Sequence, residues 1–459
     1  MRVFVIPVIT LGPDKARYDS GYLLAAKLGQ LAARTQAMHV YLLAPHQVRD
    51  WMAENAYFSV LELGQHLPFK DYPNPGCMVD PRAVAEAAHD YGPDVFIVTQ
   101  SSALALYSFY VRSTQFFDLA PVRFVLWDFS PESADTVERN VGSAHPSFAQ
   151  MCALGYAVAD ESWLFGPAAA RAASLEVARR FGWAAAEDVQ RRAHVLTPSI
   201  DRAYMQAAVP EPQEKREPFT VHIGGRWSAT KRYGMALKAV FKAQAAGLDI
   251  GVVYTGSKPT SGDKLARAEE VGMAWVTGLD QEAMWTLATS CHVGILTQDS
   301  QAMPSLPLEQ LALGLPVLIR GTEHLVDTFP QYPLVFTNDD ELLQLLTYAY
   351  HNYEAVCAEA GAWFEEHWRD YDMTCLLPRL TALAGVTREA TSLPVLVDES
   401  GEVDLNAKKG GQPGRKVYNS VLRRVSARRE ALRLGYGERL DDARPRFDEP
   451  EGEDDDSSE

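Results

Sequence analysis

Two stretches of the chain place glycines, cations and a carboxylate where a phosphorylated ligand could bind. The first covers residues 222–235 and reads HIGGRWSATKRYGM. A predicted strand ends at its two glycines, Arg226 follows at once, and Lys231 comes at the start of a predicted helix. Glycines let the backbone approach a ligand closely, and a helix N-terminus offers free N–H groups to an anion. Arg226 and Lys231 together suit a diphosphate, although either could equally be a solvated loop charge.

The second stretch, residues 296–318, runs from a predicted strand through a loop of small residues into a predicted helix. This helix begins near Ser305 and carries Glu309 in its early turns, and Gly314 and Pro316 end it before another strand. An acid near the start of a helix is favoured by the helix dipole, which alone would account for Glu309. At that position the side chain would also face a cleft.

The hydrophobic pattern of the whole chain predicts the fold that positions both stretches. Short β-branched or aromatic runs alternate with helical patterns. In the N-terminal half the predicted strands are 2–8, 39–44, 94–100 and 122–127, and the predicted helices are 21–34 and 81–91. In the second half the predicted strands are 219–223, 249–255, 274–277, 292–296 and 316–319, and two predicted helices are 234–246 and 281–289. Such alternation predicts an α/β protein with doubly wound parallel sheets.

The stretch 209–218, rich in Pro and Glu, separates the two series and has the composition of an exposed linker. We therefore predict two tandem Rossmann-like domains, residues 1–205 and 219–386, joined by a linker at 206–218. A ligand would bind in the cleft between them, at the carboxyl ends of the strands.

Composition excludes several classes of protein. The chain has 459 residues, of which 47% are hydrophobic, so a disordered or fibrous protein is excluded. Its formal net charge is −17. Its five cysteines form no C-x-x-C pair and no zinc-ligand spacing, which favours a reducing cytosol. No apolar run approaches the ~20 residues needed to cross a bilayer, and the first nine residues have the pattern of a buried strand rather than of a signal peptide.

The tail, residues 387–459, has two charged zones. Residues 408–433 hold nine Lys or Arg and one Glu, and residues 441–459 hold ten acids and two Arg. The acidic end is predicted to be disordered. The basic segment has the pattern of an amphipathic helix, which could lie on an anionic membrane, bind nucleic acid, or dock onto the acidic body of its own protein. The sequence leaves these three alternatives open.

Taken together, the two stretches resemble the GT-B glycosyltransferases, specifically the large retaining group 1 type with a Glu-x7-Glu signature. The resemblance covers about residues 1–385. It rests on Gly225-Arg226 with Lys231, on Gly278-Leu279-Asp280 before a helix, and on Leu308-Glu309 with Gly314-Leu315-Pro316-Val317. It implies that the N-terminal domain binds the acceptor and the second domain binds a sugar-nucleotide donor.

The resemblance also implies a role for each matching residue. Arg226 and Lys231 would hold the donor diphosphate and neutralise the departing nucleotide. Glu309 would hydrogen-bond the ribose. The remaining donor-binding positions would be Gly225, Gly278, Gln301, Met303, Ser305 and Leu306, with backbone N–H groups around residues 303–306 facing a phosphate. Such enzymes need no metal and no cofactor.

Two positions depart from the pattern of this group. The first acid of the Glu-x7-Glu pair is replaced by Gln301, which cannot carry charge, and Trp127 stands where many relatives have His. Asp128 follows and is the best candidate for an acceptor contact or a catalytic base; alternatively it caps a helix. In the loop after the first strand, Gly12 and Gly21 are candidate backbone contacts or turn residues only.

We therefore expect a cytoplasmic, metal-independent, retaining glycosyltransferase. The acceptor would be a glycan, a lipid-linked glycan at the membrane, or a modified base in DNA, as in phage enzymes acting in the host cytoplasm. Two alternatives remain: a catalytically silent GT-B scaffold that binds a nucleotide, and a sugar-nucleotide epimerase. The sequence does not specify the sugar, the nucleotide or the acceptor.

Overall fold

The computed structural model describes residues 1–7, 20–44, 48, 52–66, 78–114, 122–128, 146–210, 213–225, 227, 231–256, 263–298, 304–391, 396–397 and 403–404. Of the residues predicted to act, Gly12, Arg226, Gln301 and Met303 lie outside these ranges, as do the basic segment 408–433 and the acidic end. The chain divides into a body, Met1–Ser392, and a second unit, Leu393–Glu459.

The N-terminal half is built on one parallel sheet. The strands of this half are β1 (Arg2–Ile6), β2 (His39–Ala44), β3 (Phe58–Glu62), β4 (Gln65–His66), β5 (Met78–Val79), β6 (Val95–Val98), β7 (Arg123–Asp128), β8 (Glu161–Leu164) and β9 (Ala193–Val195). Seven of them form the sheet, in the order β3-β2-β1-β6-β7-β8-β9, and every neighbouring pair is parallel. Strands β4 and β5 form a separate antiparallel pair.

Helices form most of the described connections between these strands, as is usual for parallel pairing. They are α1 (Ser20–Thr35), α2 (Pro81–Tyr91), α3 (Ser101–Thr114), α4 (Pro146–Val158), α5 (Pro167–Phe181), α6 (Trp183–Arg192) and α7 (Arg202–Ala208). The predicted strand 39–44 and helix 81–91 have the bounds that the pattern indicated. Strand β1 is shorter than the predicted 2–8 and ends just before Pro7, which has no N–H to extend the ladder.

The second half repeats the plan. Its strands are β10 (Phe219–Gly224), β11 (Ile250–Thr255), β12 (Ala274–Val276), β13 (Val293–Leu296), β14 (Val317–Arg320) and β15 (Val335–Phe336). They pair in the order β12-β11-β10-β13-β14-β15, all parallel. The helices are α8 (Tyr233–Ala245), α9 (Asp263–Glu270), α10 (Gln281–Thr289), α11 (Ser305–Ala312), α12 (Glu323–Thr328), α13 (Asp339–His351), α14 (Tyr353–Tyr371) and α15 (Leu376–Thr391). The prediction of two doubly wound α/β domains is confirmed.

The strand order reverses beside β10, which lies between β11 and β13. At such a switch point the connecting helices leave in opposite directions, and a crevice opens at the carboxyl ends of the two strands. The two stretches singled out in the sequence follow β10 and β13. The topology therefore brings them to one crevice.

The chain crosses between the halves twice, and the two crossings lie side by side. Ile200 forms a β-bridge with Asp372, and the backbone N–H of Met373 donates to the carbonyl of Ile200 at 2.8 Å. After the second crossing, α15 returns to the first sheet. Its side chains Leu376 and Leu380 are buried in the same cluster as Val3. The predicted domain 219–386 thus includes a helix that packs on the other sheet.

The second unit is described only by a short antiparallel pair, β16 (Leu396–Val397) with β17 (Val403–Asp404). Of the helices in the described part of the chain, none combines the length and the apolar character that a membrane span requires.

Candidate functional site

The turn after β10 joins the two sequence stretches. A Cβ atom added at Gly224 would lie 2.5 Å from Cδ2 of Leu306 and 2.9 Å from Oγ1 of Thr255. A side chain at this position would therefore force Leu306 or Thr255 to shift. Because Leu306 belongs to the first turn of α11, the glycine turn packs directly on the start of that helix.

Two tyrosines that the sequence analysis did not single out hold the glycine turn in place. The hydroxyl of Tyr233 donates to the carbonyl of Gly224 at 2.7 Å, and the hydroxyl of Tyr254 donates to the carbonyl of Gly225. Gly225 has φ of +109°, a conformation that favours glycine. Burial raises the pKa of Tyr254, so its hydroxyl stays protonated and remains a donor.

Lys231 lies beside the carboxyl end of β13. Its ammonium group donates to Oε1 of Gln298, and its backbone carbonyl accepts a 2.7 Å hydrogen bond from Oγ1 of Thr297. Gln298 is buried and comes directly after β13. In the sequence, only its position just past a predicted parallel strand could have indicated that Gln298 is a site residue. The cation is therefore positioned at the carboxyl edge of the sheet.

The N-terminus of α11 is a second source of positive potential at this edge. Pro304 occupies the N-cap position, and among the described residues no side chain caps the helix there. The first N–H groups of a helix have no partner within the helix, so those of Ser305 and Leu306 suit an anion. Both residues are half-buried. Arg226 and Met303, predicted to contribute to the same anion site, lie outside the described residues.

Glu309 lies one turn further along α11 and is buried, with 4% of its surface exposed. Its Oε2 accepts from the indole N–H of Trp285 at 2.7 Å, and its Oε1 is 3.4 Å from Nε2 of Gln281. These two donors lie one turn apart on α10. That helix follows the predicted motif Gly278-Leu279-Asp280: Gly278 has φ of +76°, and Asp280 caps the helix by accepting from the N–H of Ala283.

The third partner of Glu309 comes from the other half of the protein. Nζ of Lys27, on α1, lies 2.5 Å from Oε1 of Glu309, and both side chains are nearly inaccessible to solvent. Lys27 also donates to the carbonyl of Ser199 in the first crossing segment, at 2.5 Å. Sequence reasoning missed Lys27, because a single Lys in an amphipathic helix has no distinguishing pattern. The residue expected to face the ribose is thus held in an interdomain ion pair.

Candidates in the N-terminal half lie around β7. Asp128 ends this strand, is buried, and accepts a hydrogen bond from the hydroxyl of Tyr156 on α4. Trp127, predicted to replace a His of the resembling group, is 1% exposed and packs edge-on against Trp163, with ring centroids 5.7 Å apart. Trp127 is therefore a core residue. Gly21 is the second residue of α1.

A buried histidine connects β10 to α11. The Nδ1 atom of His222 lies 2.6 Å from Nε2 of Gln310, and Nε2 of the same ring lies 2.9 Å from Oγ1 of Thr255. Because an amide nitrogen can only donate, Nδ1 accepts and the ring proton is on Nε2. Burial lowers the pKa of His222 to about 4, so the ring is neutral. This bond fixes α11, and with it Glu309, to the central strand.

Within the described ranges, no three His, Cys, Asp or Glu side chains lie close enough together to hold a metal ion. That the reaction needs no metal or cofactor stays a prediction.

Comparison with known proteins identifies the fold. The chain matches no family model and no curated protein sequence. Among solved structures, sucrose-phosphate synthase from Thermosynechococcus elongatus superposes with a TM-score of 0.58 at 12% identity, over 85% of this chain and 100% of that one. HepE from Anabaena, in complex with UDP and glucose, gives 0.56 at 12% identity, over 84% and 99%. The α,α-trehalose 6-phosphate synthase from Burkholderia multivorans gives 0.56 at 13% identity, over 85% and 99%.

The body of the chain has the GT-B fold. The resemblance noted in the sequence is confirmed at the level of architecture. Within this GT-B fold, the glycine turn, Lys231, the start of α11 and Glu309 all belong to the second domain, and Lys27 reaches Glu309 from the first. The arrangement offers an anion site beside a buried carboxylate.

Proposed function

We propose that this protein is a glycosyltransferase that transfers a sugar from a sugar nucleotide with retention of configuration. The proposal rests on one observation: four features lie together at the carboxyl ends of β10 and β13. They are Gly224, Lys231, the start of α11 and Glu309. The fold supports it, because two of the similar structures are named as synthases of sucrose phosphate and trehalose 6-phosphate, and a third, HepE, was solved with UDP-glucose.

The donor diphosphate would bind beside the glycine turn, at the first turn of α11. Lys231 and Arg226 supply positive charge, and the N–H groups of Ser305 and Leu306 supply hydrogen-bond donors. Negative charge develops on the departing nucleotide as the bond to the sugar breaks, so fixed donors placed here stabilise the transition state more than the ground state. No metal is required for this in the proposed mechanism.

The acceptor would bind on the side of the first domain, where Asp128 is the candidate for contact or proton removal. The bond from Tyr156 orients its carboxylate. Candidate acceptors are a glycan, a lipid-linked glycan or a modified base in DNA, and transfer assays with each class would separate them.

Binding of nucleotides tests the donor site. UDP, GDP, ADP and their glucose derivatives are titrated by calorimetry, and the tightest-binding compound is then titrated into Lys231→Ala. A hydrogen bond from a charged group contributes about 1.5–3 kcal/mol, so the dissociation constant should rise by roughly 10- to 100-fold. Lys242→Ala is the matched control, because that lysine is exposed on α8 and pairs with Asp340 on α13.

Two results would count against the proposal: no nucleotide binds the unaltered protein, or Lys242→Ala weakens binding as much as Lys231→Ala does.

A second candidate is a GT-B scaffold that binds a nucleotide without turnover. It is favoured by Gln301, which replaces the first acid of the Glu-x7-Glu pair, and by Trp127, which is buried in the core against Trp163. Incubating the protein with its tightest-binding sugar nucleotide and the acceptor panel distinguishes the two candidates. Transfer to an acceptor supports the transferase, whereas binding without transfer or donor hydrolysis supports the scaffold. Conversion of the donor sugar without any acceptor would instead indicate an epimerase.

A further inference from the structure

The carboxylate of Glu309, which is proposed to bind ribose, already accepts hydrogen bonds from several side chains. An ionised carboxylate has about four positions at which it accepts hydrogen bonds. Three are taken: Oε1 faces Lys27 at 2.5 Å and Gln281 at 3.4 Å, and Oε2 accepts from Trp285 at 2.7 Å. With 4% of its surface exposed, Glu309 cannot accept from both vicinal hydroxyls of a ribose in this arrangement. At least one partner must leave when a ribose binds.

The structure distinguishes the partner that can leave. Trp285 is 1% exposed, is buried in the core of the second domain, and packs edge-on against Tyr204 with centroids 5.9 Å apart. Its removal would require opening that core. Gln281 makes the longest and weakest of the three contacts, and its departure alone frees little of Oε1.

Lys27 differs from both. It belongs to the other domain, so a change in domain separation moves it away without disturbing α10 or α11. Its flexible four-carbon stem allows the ammonium group to swing, and the carbonyl of Ser199 remains as a second acceptor. The closest contact to Oε1 is therefore also the one that can be exchanged at the smallest structural cost.

We infer that Lys27 is an interdomain latch on Glu309, which the ribose hydroxyls of the donor must displace. The inference rests on the proposed function and deepens it: Lys27 is a positioning residue that acts through Glu309 and makes nucleotide recognition compete with the contact between α1 and α11. Donor binding is thereby coupled to the relative position of the two domains.

The test uses the full-length protein and the nucleoside diphosphate that binds most tightly among UDP, GDP and ADP. The readout is the ratio of two dissociation constants, that of the 2′,3′-dideoxy nucleotide divided by that of the normal nucleotide. This ratio measures the contribution of the ribose hydroxyls and is insensitive to a general loss of stability. Lys27→Met removes the competitor, so the ratio should rise by about tenfold, the equivalent of one good hydrogen bond.

A second variant gives a result in the opposite direction and keeps the test valid if Lys27→Met does not fold. Lys27→Arg preserves the charge, and the guanidinium can donate two hydrogen bonds to the Glu309 carboxylate. The ribose hydroxyls then displace it less readily, so the ratio should fall to about one. Arg34→Met is the matched control. Arg34 lies on the same helix and pairs with Asp201 in the crossing segment at 3.0 Å, so its removal loosens that region without touching Glu309.

The outcomes separate the latch from the proposed function. An unchanged or lower ratio in Lys27→Met, an unchanged or higher ratio in Lys27→Arg, or an equal rise in Arg34→Met would each overturn the latch. Glu309→Gln tests the donor site itself and should bring the ratio to about one. If it does so while Lys27→Met has no effect, the latch fails and the donor site stands. If no nucleotide binds the unaltered protein, the proposed function fails.

Discussion

The buried pair between Lys27 and Glu309 allows a prediction about stability that does not depend on any ligand. The perturbation is a double-mutant cycle: Lys27→Met, Glu309→Gln and both together. The side chains are 6% and 5% exposed and their charged atoms are 2.5 Å apart. Either single change leaves one charge buried without its counter-ion, which typically costs about 3–5 kcal/mol in the free energy of unfolding.

The double variant should cost much less than the sum of the two single variants. At 2.5 Å, an effective dielectric constant of about 20 gives an attraction of about 7 kcal/mol. The cost of removing both charges from water offsets most of it, so replacing both by neutral groups is expected to be almost neutral. The coupling energy in the cycle should therefore be about 3 kcal/mol or more.

Unfolding in urea, followed by far-UV circular dichroism, provides the four free energies. The control cycle uses the pair Lys242 and Asp340, which lies 3.2 Å apart but has side chains that are 40% and 81% exposed. Its coupling energy should stay below about 1 kcal/mol. If the two cycles gave equal coupling energies, or if the effects at Lys27 and Glu309 were additive, the reasoning from burial would be refuted.

Two further predictions concern the support of α11. Gly224→Ala places a Cβ atom 2.5 Å from Leu306 and should displace the start of α11. The dissociation constant of the nucleotide should then rise by roughly tenfold or more. Gly234→Ala is the control, because its Cβ atom meets nothing within 4 Å and the dissociation constant should stay unchanged. The pKa of His222 is lowered to about 4 in the folded protein, so the unfolded chain binds a proton more readily. The contribution of the neutral His222 ring to the free energy of unfolding is then fully present above about pH 6.5. It falls by about 3 kcal/mol as the pH drops toward 4. His222→Gln should flatten that part of the unfolding profile, whereas the same change at His89, which is exposed, should not.

Much of the architecture can be predicted from the sequence, because it depends on local patterns. Helix α10 has the predicted bounds of 281–289, since Asp280 is a cap residue and Gly278 supplies a left-handed turn before it. The position of Glu309 near the start of α11 follows in the same way from the glycine and proline that end the helix. Both sheets follow from the alternation of strands and helices.

The partners of the site residues could not be predicted in this way. Lys27 and Glu309 are 282 positions apart, and neither helix has a pattern that points to the other. Gln298 and Tyr254 stabilise Lys231 and the glycine turn through contacts that exist only once β10, β11 and β13 are side by side. Local sequence determines which residues reach the crevice, and the tertiary fold determines what each of them contacts there.

The return of α15 to the first sheet affects how the protein can be made. Met373, Leu376, Leu380 and Leu383 cover the face of the N-terminal sheet that includes Val3 and Val5. Domains commonly fold in order as they leave the ribosome. Here α1 covers part of that face early, but the part on which α15 packs, next to β6 and β7, stays uncovered throughout synthesis of the second domain. The half that is made first therefore keeps an exposed apolar strip until the body of the chain is almost complete.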